Sequence, residues 1–270
     1  MKDKEDKVNQ ENKKNTKTKI NNKLIYTIGN CQNGTFVDRP NRFIVNVKID
    51  KSIFVCHLHD SGRIKELLYV PNKISILKAK NFEKRKTMYD IISAFAEDGE
   101  EILINSSLHR YISENFLNDS EISPFGKIEK LRAEVKYGDS RIDYLLEKQI
   151  DNKTERIWVE VKGVSLSVNK IAMFPDAPSE RASRHLHELM KIKNSGDRAA
   201  VLLLIFRDSN YFRPRFETDK VFNKVFYEAI NMGVEIYPVQ FFLKDGKIYY
   251  KGNKIEILED INETDSCNSR

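Results

Sequence analysis

The segment SRIDYLLEKQIDNKTERIWVEVKGVSL, residues 140–166, contains two stretches with β-strand character on either side of a turn sequence. Isoleucine, valine, tyrosine and tryptophan occur in these stretches, and such residues favour extended backbone. Asp151-Asn152-Lys153 between them is typical of a tight turn. The pattern therefore predicts an antiparallel hairpin with strands over 141–147 and 156–162.

Three charged side chains of this hairpin are expected to converge. Glu160 and Lys162 are two residues apart on one strand, so they project from the same face, and Asp143 lies on the paired strand. Two carboxylates suit a hard divalent ion such as Mg2+ or Mn2+, whose bound water can act as a nucleophile; a nearby lysine can orient that water. Glu134, on the preceding predicted strand, is placed to add a third carboxylate. The alternative is a solvated strand face, the usual meaning of an isolated Glu-x-Lys.

The sequence on both sides of the hairpin alternates between helical and extended patterns. These patterns predict a helix near 108–117, a strand over 131–137, a helix over 179–194, a strand over 199–206, a helix near 222–230 and a strand near 235–241. From 106 to 206 the order is helix, three strands, helix, strand. This order, with Asp143 on the second strand and Glu-x-Lys on the third, resembles the core of PD-(D/E)XK nucleases. Residues 105–258 are therefore predicted to form a nuclease-like mixed sheet with flanking helices.

Residues 24–104 follow a different pattern, in which apolar residues recur mainly at every second position. Turn sequences such as Asn33-Gly34 and Asp98-Gly99 divide the region into about five short strands. Strands of this number and length suit a small closed barrel, which leaves no exposed sheet edge. The chain is thus predicted to be an α+β protein of two domains, the first an OB-like β-barrel that binds nucleic acid.

Composition places the chain among globular proteins: it has 270 residues, 40% of them hydrophobic and 32% charged. No uncharged apolar run is long enough to cross a bilayer, and the N-terminus lacks a signal-peptide pattern. Three cysteines without close pairing give neither a disulfide framework nor a metal knot, so a cytoplasmic location is expected. Residues 1–23 and 259–270, which are polar and charged, are predicted to be disordered tails.

The formal charge of +6 is unevenly distributed. The first 23 residues hold eight lysines against four acidic residues, whereas the last 12 hold one arginine against four acidic residues. The body is left with +5, which permits a polyanionic partner without identifying one.

One basic run in the first predicted domain is a candidate nucleic-acid contact and comprises Lys78, Lys80, Lys84, Arg85 and Lys86. OB barrels bind nucleic acid through a basic groove and stacking aromatic residues. Candidate stacking residues are Phe43, Phe82 and Tyr89. A solvated loop, with the aromatic residues in the core, is the more common arrangement.

Arg181 and His185 lie one turn apart on the helix predicted over 179–194, so they share a face that is placed to contact a substrate phosphate. A surface helix with ordinary charges, or a core histidine at position 185, explains the same pattern.

Two further groups of polar residues are interpreted as turn-forming. Asp176 is expected to cap a turn in preference to binding a metal. His57, His59 and Asp60 have the residue types of a metal cluster, but bracing a turn together with Arg63 is the preferred interpretation.

Most of the chain also resembles the sugar fermentation stimulation protein A (SfsA) family. The motifs that carry this resemblance occur in order: NRF at 41–43, HLHDSGRIKELL at 57–68, RKT at 85–87, EVKYG at 134–138, SRIDYLL at 140–146, EVKGVSL at 160–166 and FPDAPSERASRHLHEL at 174–189. The resemblance implies an OB-fold domain, a PD-(D/E)XK-like domain, DNA binding and a proposed metal-dependent nuclease activity. The family name reflects a sugar-metabolism phenotype and defines no reaction.

Carried over residue by residue, the resemblance places Asp143, Glu160 and Lys162 in the nuclease triad. Asp143 and Glu160 would hold the metal together with the Val161 carbonyl and Glu134, and Lys162 would position the attacking water.

This sequence departs from the family pattern at two places. It has Arg181-Ala182 where relatives often have Arg-Gly, a small change that is expected to be structural. It also has Ser106 and Arg110 where Thr and Asn are usual, which puts in doubt a site role at the start of that helix.

The sequence as a whole predicts a nucleic-acid-binding protein that hydrolyses phosphodiester bonds with Mg2+ or Mn2+. DNA is the expected partner, RNA is an alternative, and no membrane is involved. The rival function is a non-catalytic DNA-binding regulator of sugar metabolism genes on a retained nuclease scaffold. Converging carboxylates favour the enzyme, because a scaffold has no need of their mutual repulsion.

Overall fold

The computed structural model describes residues 22–60 and 62–260. The predicted tails, 1–23 and 259–270, lie outside the described residues except for two positions at the inner end of each. One of these, Lys23, begins a strand, which corrects the prediction that it belongs to a disordered tail. Cys267 is also outside the described residues. Among the helices described in these ranges, none is long and apolar enough to cross a membrane.

The N-terminal region forms the predicted OB-like barrel. Its strands are β2 (Gln32–Asn41), β3 (Ile44–Ile49), β4 (Ser52–His57), β5 (Lys73–Lys78), β6 (Tyr89–Phe95) and β7 (Glu101–Leu103), in the spatial order β4-β3-β2-β5-β6-β7. A parallel pairing of β4 with β6 closes the ring through the residue pairs Cys56↔Tyr89 and His57↔Asp90. A short 3-10 helix, Phe82–Lys84, lies in the connection from β5 to β6.

The C-terminal region is built on a seven-stranded mixed sheet, as predicted. Its strands in spatial order are β1 (Lys23–Thr27), β16 (Lys247–Gly252), β15 (Glu235–Lys244), β13 (Arg198–Ile205), β10 (Lys153–Val164), β9 (Ser140–Ile150) and β8 (Lys130–Tyr137). β10, β13 and β15 are parallel to one another, and the outer pairings are antiparallel. The β9–β10 hairpin turns at Asp151 and Asn152, whose positive φ values of 46° and 64° match the turn type that two-residue hairpins favour.

Three helices and a small second sheet flank this large sheet. The helices are α1 (His109–Asn118), α2 (Glu180–Asn194) and α3 (Lys220–Asn231), and a 3-10 turn, Ser106–Leu108, leads into α1. Ser179 and Asp219 cap α2 and α3 by accepting backbone N–H groups with their side chains. The small sheet contains β11 (Ser167–Val168), β12 (Ile171–Phe174), β14 (Tyr211–Pro214) and β17 (Glu256–Ile257).

Strand β1 corrects the prediction that the barrel begins at residue 24. β1 is paired with β16 at the edge of the large sheet, in the register Lys23↔Tyr250 to Thr27↔Lys247. Ile25 is buried there in the hydrophobic core, and its carbonyl accepts a hydrogen bond from Asn115 of α1. The period-two pattern identified a strand correctly, but such a pattern does not encode which sheet the strand joins.

Two hydrophobic cores cover the two faces of the large sheet. On β13, Leu202 and Leu204 face the core that contains α1 and continues into the barrel interior. Val201 and Leu203 face the other core, beneath α2 and α3. β13 is therefore buried on both sides, which its uninterrupted apolar sequence explains, and one core is common to both domains.

Candidate active site

The β9–β10 hairpin brings Asp143 against the backbone of β10. Backbone pairing between the two strands ends at Val159↔Tyr144. Beyond that pair, a side chain replaces the backbone as acceptor: Asp143 Oδ2 accepts the N–H of Val161 at 2.7 Å. Asp143 is thereby fixed beside the Glu160-Val161-Lys162 segment.

Glu134 lies on the other side of Asp143, on β8. Its neighbours Ala133 and Val135 are paired with Tyr144 and Ile142, while Glu134 itself has a φ of 53°, in the left-handed region. Non-glycine residues rarely adopt this conformation, and such backbone strain is concentrated at functional sites. The strained residue thus sits opposite Asp143.

A cavity of about 370 Å3 gathers most of the predicted site residues. Its lining includes Asp143, Glu160, Val161, Lys162, Glu134 and Arg181. The sequence placed these residues on three strands and a helix, and the fold brings them to one surface.

Glu160 is 2% exposed, and its two carboxylate oxygens differ in their surroundings. Oε1 is bonded to Lys162 Nζ at 2.5 Å and to His185 Nδ1. Oε2 is buried and has no hydrogen-bond partner among the described residues. A buried acceptor without a partner destabilises the fold by about 1–3 kcal/mol, so the unmet oxygen is available to a bound group. With Asp143 and Glu134 on the same cavity, the donors are all oxygens, which fits a hard divalent cation.

The electrostatic environment shifts the pKa values of the half-buried Asp143 and the buried Glu160 in opposite directions. Burial, together with the nearby charge of Glu160, raises the pKa of Asp143 to about 6. Burial alone would also raise the pKa of Glu160, but hydrogen bonding to His185 and the charge of Lys162 outweigh it, so the pKa of Glu160 is lowered. Near neutral pH, Glu160 is therefore ionised, whereas Asp143 binds a proton more readily than an ordinary aspartate.

His185 is buried and contacts Glu160 directly. Its position does not suit the direct phosphate contact expected from its helical spacing, because the ring has little access to solvent. His185 is better described by the alternative, a buried histidine with a hydrogen-bond partner, and that partner is Glu160. Arg181, one turn earlier, is exposed and lines the cavity.

Three residues before or in the first turn of α1 also line the cavity: Ser106, His109 and Arg110. The first and last were noted only as departures from the family pattern, and His109 had no sequence signal. The His109 ring stacks on Phe206 with centroids 5.4 Å apart, and burial lowers the pKa of His109 to about 4. A Cβ atom on Gly163 would lie 2.0 Å from His109 Cε1, so only glycine fits after Lys162. The departures from family pattern at Ser106 and Arg110 thus fall on the cavity wall.

The basic run of the barrel lies away from this cavity. Lys80, Lys84 and Lys86 are exposed, and Lys78 Nζ lies 3.9 Å from the ring centroid of Phe82. Arg85 differs, because its guanidinium forms two hydrogen bonds with Asp90, at 2.5 and 3.0 Å. Of the candidate stacking residues, Phe43 is the most accessible, at 40% exposure, whereas Tyr89 packs edge-on against Phe54.

Asp176 joins the two domains as a turn cap. Its Oδ2 accepts the backbone N–H groups of Arg63 and Ile64 at 2.9 and 3.1 Å, and Oδ1 accepts a hydrogen bond from Arg215 at 3.2 Å. Asp60 accepts the N–H of Gly62 at 2.7 Å. Both aspartates therefore brace the loop after β4, as their sequence context suggested.

Comparisons with known proteins extend over both domains. A family model described as the SfsA N-terminal OB domain matches residues 37–104, and one described as the sugar fermentation stimulation protein RE domain matches residues 107–247. A sugar fermentation stimulation protein homolog from Thermosipho melanesiensis is 40% identical over 236 residues, covering 87% of this chain and 98% of the relative. A homolog of the same name from Methanococcoides burtonii is 40% identical over 240 residues, covering 86% and 95%. The structure of Pyrococcus furiosus SfsA in complex with Ca2+ matches with a TM-score of 0.77 and 26% identity, covering 88% of this chain and 100% of that chain.

Proposed function

This chain belongs to the sugar fermentation stimulation protein (SfsA) family, and from that membership and the cavity geometry we propose that it is a nucleic-acid-binding nuclease that depends on a divalent metal. The observation that carries the proposal is the buried Oε2 of Glu160, which has no partner in the described ranges and belongs to a residue that lines one cavity with Asp143 and Lys162. An oxygen-lined site with a lysine beside it has the groups that phosphodiester hydrolysis requires.

The proposed metal is Mg2+ or Mn2+, held by Asp143 and Glu160 with the carbonyl of Val161 and the carboxylate of Glu134. Pyrococcus furiosus SfsA was solved with Ca2+, which also prefers oxygen ligands. A bound divalent cation would supply an activated water molecule and offset negative charge on the phosphate.

Three residues of the chain have separate roles in the proposed reaction. Asp143 is held in place by the Val161 N–H and would release its proton on binding a cation. Lys162 is 16% exposed, with its ammonium on Glu160 Oε1, from which it can turn toward an attacking water or a phosphate oxygen. His185 forms a hydrogen bond with Glu160 Oε1, which lowers the pKa of Glu160 and keeps this carboxylate ionised.

Exposed basic residues beside the cavity support a polyanionic substrate. Arg181 lines both the cavity and a neighbouring open depression, which Arg184 and His187 also line on the outer face of α2. The two arginines can bind phosphates of one strand, and the lysines of the barrel add a second contact region. DNA is the proposed substrate, and RNA is to be tested beside it.

The decisive experiment is cleavage of labelled single- and double-stranded DNA and RNA in Mg2+, Mn2+ or EDTA. We expect cleavage with either metal, none in EDTA, and inhibition when Ca2+ competes for the site. Asp143→Asn should abolish cleavage while nucleic-acid binding in EDTA persists. Lys162→Ala should still bind the metal but lose activity by about 100-fold or more. Asp139→Asn, at an exposed position near the hairpin, is the matched control and should cleave normally.

A non-catalytic DNA-binding regulator is the second candidate. One observation favours it: Oε1 of Glu160 is already paired with Lys162 and His185, so much of that charge is met without a metal. The regulator is supported if the wild type binds DNA but cleaves no substrate with any metal. Equal cleavage by the wild type, Asp143→Asn and Lys162→Ala would instead identify a contaminating nuclease.

A further inference from the structure

A cluster of two histidines and an aspartate lies where the barrel closes, outside the lining of the proposed active-site cavity. His57 ends β4, His59 follows two residues later, and Asp90 is the second residue of β6. Leu58 between the histidines is fully buried, so both rings project away from the barrel interior on the same side. We propose that His57, His59 and Asp90 form a second metal site, for a transition ion of the Zn2+ class, that clamps the barrel shut.

The spacing of the ligand atoms suits one shared ion. Asp90 Oδ1 lies 3.2 Å from His59 Nε2 and 3.9 Å from His57 Nδ1, and the three ligand atoms all lie within 4.8 Å of one another. Two atoms bound tetrahedrally to Zn2+ at about 2.0–2.1 Å are separated by about 3.3 Å. Small side-chain adjustments therefore bring all three within bonding distance of a single ion.

His57 supplies a second, independent observation. Its Nδ1 is buried and has no hydrogen-bond partner in the described part of the chain. The ring is held by Phe43, stacked at 6.4 Å, and by an edge-on contact with His59 at 4.3 Å. An imidazole nitrogen that is oriented by packing, faces a carboxylate and lacks a partner is suited to metal ligation.

Arg85 completes the surroundings of the carboxylate. Its guanidinium donates to Asp90 Oδ2 at 3.0 Å and to Oδ1 at 2.5 Å, and it also donates to Thr87 at 3.3 Å. Carboxylates that bind metals commonly accept hydrogen bonds from outer residues in this way, which orients them. Oδ1 can bind the ion while Oδ2 keeps its hydrogen bond from Arg85. The arginine therefore orients the ligand and does not have to move away.

The residue types decide the class of ion. Two imidazoles and one carboxylate favour Zn2+, Co2+ or Ni2+ over the Mg2+ proposed for the oxygen-lined cavity. The three side chains are between 18% and 31% exposed, so an ion can reach them from solvent.

The location defines what such an ion would do. Closure of the barrel depends on the short pairing Cys56↔Tyr89 and His57↔Asp90, and two of the proposed ligands are themselves one of these pairs. An ion bound there would link β4 to β6 beyond their backbone hydrogen bonds. Because it binds the closed barrel and not the unfolded chain, it should raise the stability of the protein.

The test uses the full chain, purified without a histidine tag, with Asp143→Asn as background so that the outcome is independent of the nuclease proposal. Zn2+ titrated by calorimetry should bind with one equivalent, and thermal unfolding should move to higher temperature. Adding His57→Gln or His59→Gln should weaken Zn2+ binding by about tenfold or more. His187→Gln, an exposed histidine on α2, should leave it unchanged.

Cobalt provides a readout that requires no substitution at the cluster. Co2+ bound by these three ligands and water should give the intense visible absorption of tetrahedral coordination, displaced by Zn2+ and removed by EDTA. Weak octahedral-type absorption, absence of a Zn2+ equivalent, or unchanged binding in folded His57→Gln and His59→Gln would each overturn the proposal. Reduced nucleic-acid affinity in these variants without any Zn2+ binding would also overturn it and assign the cluster to phosphate contact.

Discussion

At the scale of single residues, the two carboxyl groups of the cavity are tuned in opposite directions. The pKa of Asp143 is raised to about 6 by burial and the charge of Glu160, whereas the pKa of Glu160 is lowered by its partners. The metal that we propose for this site would therefore meet, near neutral pH, one ionised carboxylate and one that would give up a proton on binding. Metal affinity should rise with pH through this range.

The first prediction concerns the stability of the metal-free protein. An aspartate whose pKa is raised in the folded state lowers the free energy of unfolding once it is ionised. This loss of stability begins as pH rises above the unfolded pKa near 3.8 and is complete above about 6. Asp143→Asn removes this cost and keeps the acceptor for the Val161 N–H. The variant should exceed wild type by about 1–3 kcal/mol at pH 8 and lose that advantage near pH 4. Urea unfolding in EDTA at pH 8 and pH 4 measures the free energy of unfolding of wild type and variant, with Asp139→Asn as control. A stability difference that does not change with pH would contradict the raised pKa of Asp143.

The second prediction concerns His185 as a positioning residue. His185→Leu removes a hydrogen bond to Glu160, so burial should raise the pKa of Glu160 and weaken Mn2+ binding more at pH 5.5 than at pH 8. The free energy of unfolding at pH 7 should fall by about 1–3 kcal/mol. His185→Gln, which keeps a donor, should recover part of the affinity, and His187→Leu should have no effect. Identical pH profiles for wild type and His185→Leu would rule out this role.

At the scale of secondary-structure elements, β1 is the strand whose partner is furthest away along the sequence. It pairs with β16, more than 200 residues later, and one of its faces is buried. Ile25 is 7% exposed, while its neighbour Leu24 is 49% exposed. This alternation of exposure, which spans an irregularity in pairing between Leu24↔Tyr249 and Tyr26↔Ile248, orients the strand on the sheet.

The third prediction follows from that alternation. Ile25→Ala should lower the free energy of unfolding by about 2 kcal/mol or more, because it leaves a cavity in the core shared by both domains. Leu24→Ala, the matched control, should change it by less than about 0.5 kcal/mol. Chemical denaturation of the two variants gives the comparison, and equal effects would mean that β1 does not dock in this register.

How far the sequence could predict each element depends on how local its determinants are. The β9–β10 hairpin was predictable because its turn and its apolar residues lie within one short segment. The sheet to which β1 belongs was not, because the pairing energy comes from β16. His185 was placed on the correct helix, but its burial against Glu160 depends on how α2 packs on β10. His109 belongs to no motif, and only the docking of α1 brings it to the cavity.

At the scale of the whole molecule, the two domains are joined by packing and by ion pairs. One hydrophobic core extends from the barrel to the large sheet. Arg207, just after β13, forms ion pairs with Asp98 and Glu100 beside β7, at 2.9 and 3.0 Å. The Asp176 cap adds a third connection. Separate unfolding of either domain would expose this common interior.

The fourth prediction is therefore a single cooperative unfolding transition. Fluorescence of Trp158, the one tryptophan of the chain, reports on the large sheet. Labelling of Cys56, which is fully buried in the barrel, reports on the first domain in a Cys31→Ser, Cys267→Ser background. The two urea midpoints should coincide. Midpoints that differ beyond experimental error would show that the domains unfold independently.

The path of the first strand also determines how parts of this protein could be exchanged with those of a relative. A chimaera joined at one crossover near residue 105 would import a foreign β1 into a sheet whose partner strand, β16, stays native. Two crossovers, one in the link between β1 and β2 and one after β7, would transplant the barrel alone and leave β1 paired with its native partner β16. The segment to exchange is thus the barrel, which is inserted between β1 and the rest of the large-sheet domain, although the sequence pattern suggests two consecutive domains.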